Sequence, residues 1–124
     1  MNQPAKPLPN VKVVSLGRRG SALLPNEKLK KNSPRGVSFE KELHEFLLIT
    51  FGGYTVTSGT ISGHWTDQAG TDRYGEHREY RVALAGPESV AAFEVFLAQL
   101  ARDLGEECIY LETGGEISLV YRLP

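Results

Sequence analysis

The chain has 124 residues, with 14 Lys/Arg against 15 Asp/Glu, 40% hydrophobic side chains and 23% charged ones, the proportions of one ordinary globular domain with a small core. Its single cysteine, Cys108, excludes an internal disulfide and a four-cysteine zinc site, and no apolar run approaches the roughly 20 residues that span a bilayer. The near-neutral total hides a division: residues 1–37 carry eight basic side chains and one acid (Glu27), whereas residues 38–124 carry six basic and fourteen acidic ones.

Residues 1–37 therefore read as a basic arm and residues 38–124 as an acidic domain. The arm opens on "NQPAKPLPN", a Pro-rich stretch expected to be extended. It has no apolar core of the kind a signal peptide needs, so the expected location is cytoplasmic. "VKVVSLG", residues 11–17, has the β-branched content of a short strand. "GRRGSALLPNEKLKKNSPRG" returns to basic, Gly- and Pro-punctuated sequence, and residues 18–36 read as a largely flexible linker with too few apolar side chains to offset ordering entropy. Arg18, Arg19, Lys28, Lys30, Lys31 and Arg35 are its candidate contacts to a nucleic acid or to an acidic partner.

Order is expected from Ser38. "SFEKELHEFLLITFGG" has an N-cap residue, acids in its first turn, Phe39, Leu43, Phe46 and Leu47 at helical spacing and a Gly-Gly stop, which predicts a helix over 38–51. "YTVTSGTIS" alternates and predicts a strand, bent at Gly59 or Gly63. "TDQAGTDRYGEHR" reads as a polar turn region and "EYRVAL" as a second strand. "PESVAAFEVFLAQLARDLG" predicts a helix with Pro87 in its first turn, a stripe of Val90, Phe93, Leu97, Leu100 and Leu104, and a Gly105 cap. "CIYLETGGEISLVYR" predicts two strands about a Gly114-Gly115 turn.

This order predicts an α+β fold: a two-layer sandwich with an antiparallel sheet and two helices on one face. With a strand at 11–17 the plan is the ferredoxin-like βαββαβ, extended by a C-terminal hairpin. The uncovered sheet face would bury Val56, Ile109, Tyr110, Leu111, Val120 and Tyr121 against a second copy, so a homodimer is expected. The stretches "FGGYT", "SGTISGHW", "REYRVAL" and "GEECIYLE" resemble a family of small bacterial proteins of uncharacterised function that share a GG-[YF]-T and G-x-W pattern. The resemblance covers about residues 38–124. It implies a ferredoxin-like α+β fold, often dimeric through its sheet, and implies no activity and no functional residue.

The glycines at 52 and 53 follow a helix and precede a strand, the reverse of a phosphate-binding loop. Trp65 at a strand end suits either a core edge or a stacking platform. His64 and His77 with their neighbouring carboxylates have no compact metal-ligand spacing, and neither a metal nor another cofactor is assigned. No serine sits in a nucleophile elbow. The candidate ligand-binding set is Tyr54, His64, Trp65, Tyr74, Glu76, His77 and Arg81, in a cleft between subunits. No catalytic residue is assigned. The reading that follows is a non-enzymatic, self-associating binding protein that engages a partner through its arm or its acidic surface. Its alternatives are a small-ligand-binding protein or small enzyme using that cleft, and a nucleic-acid-binding accessory or phage- or plasmid-borne inhibitor.

Overall fold

A computed structural model describes residues 10–124; the extended start expected over the first residues lies outside them. The elements run β1 (Arg18–Pro25), α1 (Asn26–Leu29), α2 (Phe39–Phe51), β2 (Thr55–Val56), β3 (Ile61–Thr66), β4 (Asp72–Leu84), α3 (Pro87–Leu104), β5 (Cys108–Thr113) and β6 (Glu116–Tyr121). The sheet order is β2-β4-β1-β5-β6, with β3 also pairing β4, and every pairing is antiparallel. This is the expected ferredoxin-like α+β sandwich with its C-terminal hairpin, joined by a one-turn helix.

The strand that founds the plan is not the expected one. Val11, Val13, Val14 and Leu16 are exposed and lie in no strand, while "RRGSALLP" occupies the centre of the sheet. Ser21 pairs with Arg81 on one side and Glu112 on the other, and Leu23 with Glu79 and Tyr110. The linker expected over 18–36 is thus corrected over its first eight residues. Composition misleads there because the helix-facing positions Gly20, Ala22 and Leu24 are mostly small. They let the backbone lie close under the helices, with Ala22 and Leu24 wholly buried. After β1 the chain still does not run free. Leu29 is wholly buried, Asn32 bridges to Ser38, and Arg35 bonds Glu42 on α2 and Asp103 on α3.

Both long helices form where the spacing predicts. Ser38 Oγ accepts from the Lys41 N–H, and each helix ends on a glycine in the left-handed region, Gly52 at φ +79° and Gly105 at φ +71°. Their apolar stripes meet the sheet through Leu43, Leu47, Phe93 and Leu97, which pack on Tyr80, Val82, Ile109 and Leu111. Phe46 and Phe96 stack with centroids 3.8 Å apart, tying α2 to α3. Burial holds the Tyr80 hydroxyl protonated, its pKa pushed up to about 12.

Two strand expectations need correction. The single strand over 54–62 is interrupted, with β2 and β3 separated around Gly59, where the Thr57 hydroxyl donates to the Gly59 carbonyl. The polar turn shrinks to the tip at 67–71, because β4 continues out to Asp72 in register with β3 as a projecting hairpin. Its residues alternate without an apolar face, so no period-two hydrophobic signal marks it. The face assigned to a second copy also divides by alternation. Ile109 and Leu111 are buried under the helices and Val120 packs against that core, while Tyr110 lies on the open face with Leu119 and Tyr121.

Candidate functional site

The site grows from the projecting hairpin. Asp67 turns its tip, accepting from the Ala69 and Thr71 N–H groups and from Arg73 Nε at 2.8 Å, and these bonds hold its carboxyl below the usual range. On β3 and β4 two glycines, Gly63 and Gly75, stand opposite each other. Above them Trp65 and His77 meet edge to face, with ring centroids 5.8 Å apart. A Cβ on Gly75 would lie 2.7 Å from the His77 ring and 3.2 Å from the indole, so the missing side chain of Gly75 makes the seat for both rings.

Against these rings the open sheet face supplies Leu23, Pro25, Cys108, Tyr110 and Leu119, enclosing a pocket of about 200 Å³ that Glu106 also borders. The pocket shares Trp65, His77, Pro25, Glu106 and Cys108 with a wider groove of about 940 Å³, which runs past Lys28, Arg73, Tyr74, Glu76 and Arg122. Apolar walls with a few charged groups around them are the usual build of a small-molecule site. His77 Nδ1 is buried with no hydrogen-bond partner among the described residues. The Cys108 thiol is pushed up by burial and by Glu107 and Glu106, which keeps it protonated and a poor nucleophile.

Beyond Leu23 on the same face lies a charged cluster. Glu79 accepts from Ser21 Oγ at 2.5 Å, Arg81 at 2.7 Å and Arg19 at 2.9 Å. The Arg81 bond, then Ser21 and Arg19, lower its pKa from 4.5 to about 2 against the opposing effect of burial. The unfolded chain therefore takes up this proton near 4.5 while the folded one resists until about 2. The contribution of Glu79 to stability is present above pH 4.5 and lost as pH falls from there toward 2. Melting temperatures across that window should fall less steeply for Glu79→Gln than for the parent chain; parallel slopes would remove the ion cluster from the acid response.

The structure gathers part of the expected ligand-binding set. Trp65 and His77 share the pocket, and His64 borders it from the next position on β3, its ring 4.9 Å from that of Tyr74. Tyr74 and Glu76 line the wider groove and are joined by a 3.2 Å hydrogen bond. Tyr54 is elsewhere: its hydroxyl and His44 Nδ1 share a hydrogen bond of 2.7 Å, and it lies against Tyr80 beneath α2, where burial raises its pKa. Arg81 belongs to the Glu79 cluster. The residues missed are Leu23, Pro25, Cys108, Tyr110, Leu119 and Glu106. Alternation of Ser21, Leu23 and Pro25 against Ala22 and Leu24 was the available signal for the first two.

The arm residues are largely committed to the domain. Arg19 pairs with Glu79, Lys28 with Glu106, Lys30 with Glu27, and Arg35 with Glu42 and Asp103. Arg18 is in β1, and Lys31 follows α1. Among the described residues no group of three or more His, Cys, Asp or Glu is placed to hold a metal ion, and no helix is long and apolar enough to cross a membrane.

No family model matches this sequence, and no curated protein matches it. Among solved structures the chain is similar to a phage SAM lyase in complex with S-methyl-5′-thioadenosine. The TM-score is 0.56 at 8% identity, over 90% of this chain and 95% of that one. At this identity the likeness shows a shared fold. It also corrects the non-enzymatic reading of the sequence, because a chain of this architecture over nearly its whole length is a lyase holding a small nucleoside thioether.

Proposed function

We propose that the protein is a small enzyme of the lyase type, with an adenosine thioether or the SAM-type sulfonium that yields it held in the pocket lined by Trp65 and His77. The observation that carries this reading is the pocket itself: one indole and one imidazole seated over paired glycines, with an apolar floor and the Glu106 carboxylate at its edge. Adenine stacks on an exposed indole with about 1–3 kcal/mol per base. The half-exposed Trp65 offers that surface without losing its place in the fold. Glu106 and Glu76 border the pocket and the groove where a sulfonium would carry its positive charge.

The chemistry suits a site without a nucleophile–base pair. When the C–S bond of an amino-acid sulfonium breaks, the electron pair goes to sulfur and a neutral thioether leaves, so no acid has to protonate the leaving group. An oxygen of the substrate's own carboxylate supplies the pair that closes on the abandoned carbon as a lactone, so no protein nucleophile or base is consumed. What remains for the protein is positioning and charge stabilisation. A catalytic signature of the Ser/His or Cys/His kind is therefore not required, and its lack in the sequence does not argue against an enzyme.

The reading includes a second copy. Ile117, Leu119 and Tyr121 are exposed along the edge strand β6, next to the pocket wall. Covering them would remove apolar surface from water and close the pocket.

The test is calorimetric titration with S-methyl-5′-thioadenosine, followed by incubation with SAM and chromatography for released thioether. Binding that falls at least about 10-fold in Trp65→Ala, one stacked base in energy, together with thioether release by the parent chain, is the expected result. A parent chain that neither binds the thioether nor releases it overturns the proposal.

A further inference from the structure

We infer that the cluster of Arg19, Glu79 and Arg81 is the seat of a zwitterionic amino-acid group, so that the substrate carries its α-amino and α-carboxyl groups away from the Trp65–His77 pocket toward β1 and β4. The inference rests on the function proposed above, because it names the second half of the same ligand.

Position comes first. Leu23 and His77 both line the pocket. Leu23 is the cross-strand neighbour of Glu79, and His77 precedes Glu79 by two residues on the same face of β4. Neighbouring strands lie about 4.8 Å apart and alternate residues of one strand about 7 Å apart. Glu79 thus adjoins the pocket from two directions, with Arg81 one step further along the same face. A short aliphatic chain leaving the pocket over Leu23 meets the charged cluster next.

The chemistry of the cluster then selects the group. Each guanidinium gives a single hydrogen bond to Glu79, from Arg19 at 2.9 Å and Arg81 at 2.7 Å. Arginine has five N–H donors, so both keep donors to spare. Arg81 Nε is buried and has no acceptor among the described residues. Arg81 is about two-fifths exposed and Arg19 more than half exposed, leaving both reachable from solvent. Two guanidiniums with unused donors match a carboxylate. The Glu79 carboxylate between them stays ionised down to about pH 2, and with Oε2 accepting from Arg19 and Ser21 and Oε1 from Arg81 alone, Oε1 keeps a lone pair for an ammonium. A bare anion such as phosphate would meet Glu79 as a repulsive neighbour, whereas an amino-acid end meets opposite charge at each of its two groups. Ser21 and Thr57, which bond Glu79 and its backbone N–H, hold the acceptor in place.

Two stable probes separate the halves of the ligand. S-methyl-5′-thioadenosine carries the nucleoside thioether alone, and S-adenosylhomocysteine adds the amino-acid end without the reactive sulfonium. S-adenosylhomocysteine should bind the full-length parent chain about 10- to 100-fold more tightly, the worth of charge-assisted hydrogen bonds. In Arg81→Gln and Arg19→Gln that advantage should collapse toward unity while the thioether affinity stays unchanged, which also reports an intact fold. The decarboxylated counterpart of S-adenosylhomocysteine tests the same point without mutation: it keeps the ammonium for Glu79 but loses the carboxylate for Arg19 and Arg81, and should bind the parent chain more weakly than S-adenosylhomocysteine. Equal affinity of the parent chain for both probes overturns the inference and leaves the pocket standing. So does an advantage that survives in both variants. Failure of both probes to bind overturns the pocket reading itself, and binding of the thioether alone overturns the inference.

Discussion

Shortening Leu24 to alanine is expected to destabilise the fold by about 2–5 kcal/mol, the range for a buried leucine whose cavity cannot fully collapse. Leu24 is wholly buried in the central strand, within the one core that also holds Leu29, Leu43 and Phe93. A domain of this size has only about 5–15 kcal/mol to lose, so the denaturant midpoint should drop sharply with little change of slope. The control lies eight residues earlier. Leu16 is 70% exposed and outside every strand, and Leu16→Ala should stay within about 0.5 kcal/mol. If the two variants behaved alike, β1 would not be the strand on which the sheet is built. An arm joined to a separate domain would again be the better description.

The second large effect concerns function and leaves stability nearly alone. Gly75→Val places a side chain where its first carbon already lies 2.7 Å from His77 and 3.2 Å from Trp65. The atoms it meets are the ends of two side chains at the surface, so the rings move and the backbone need not. Unfolding should shift by no more than about 1–3 kcal/mol, as for moderate overpacking, whereas S-methyl-5′-thioadenosine should lose at least about 10-fold in affinity because the stacking surface is displaced. The opposite pattern, with binding retained and stability lost, would make Gly63 and Gly75 purely structural and remove the pocket's walls from the account of function.

The glycines of the middle stretch therefore do different jobs. Gly52 ends a helix in the left-handed region, Gly59 lies between two short strands, and Gly63 faces Gly75, which clears room for aromatic rings. A composition rich in glycine announces that backbone or neighbour needs space. It does not say which, because the neighbour of Gly63 is twelve residues away in the chain and known only once β3 and β4 are paired.

The same division runs through the whole molecule. Both long helices, their caps, the C-terminal hairpin and the α+β plan are legible locally, since helical spacing and turn residues act within a few positions of chain. The ferredoxin-like order was readable from the alternation of elements, although its first strand was assigned to residues 11–17. What tertiary structure decided is which segment completes the sheet. "VKVVSLG" has the better intrinsic strand composition, but "RRGSALLP" has small residues on one face and apolar ones on both. That suits a strand pressed under two helices on one side and open on the other. The site is decided at the same level. Trp65 and His77 were visible as candidates because their side chains carry chemistry by themselves. Leu23, Pro25, Tyr110 and Leu119 become pocket walls only through cross-strand register, and Arg19 leaves a supposed arm for an ion cluster only because β1 lies beside β4. Residue type and spacing are properties of a segment, whereas a pocket is a property of the surfaces that distant segments present to one another.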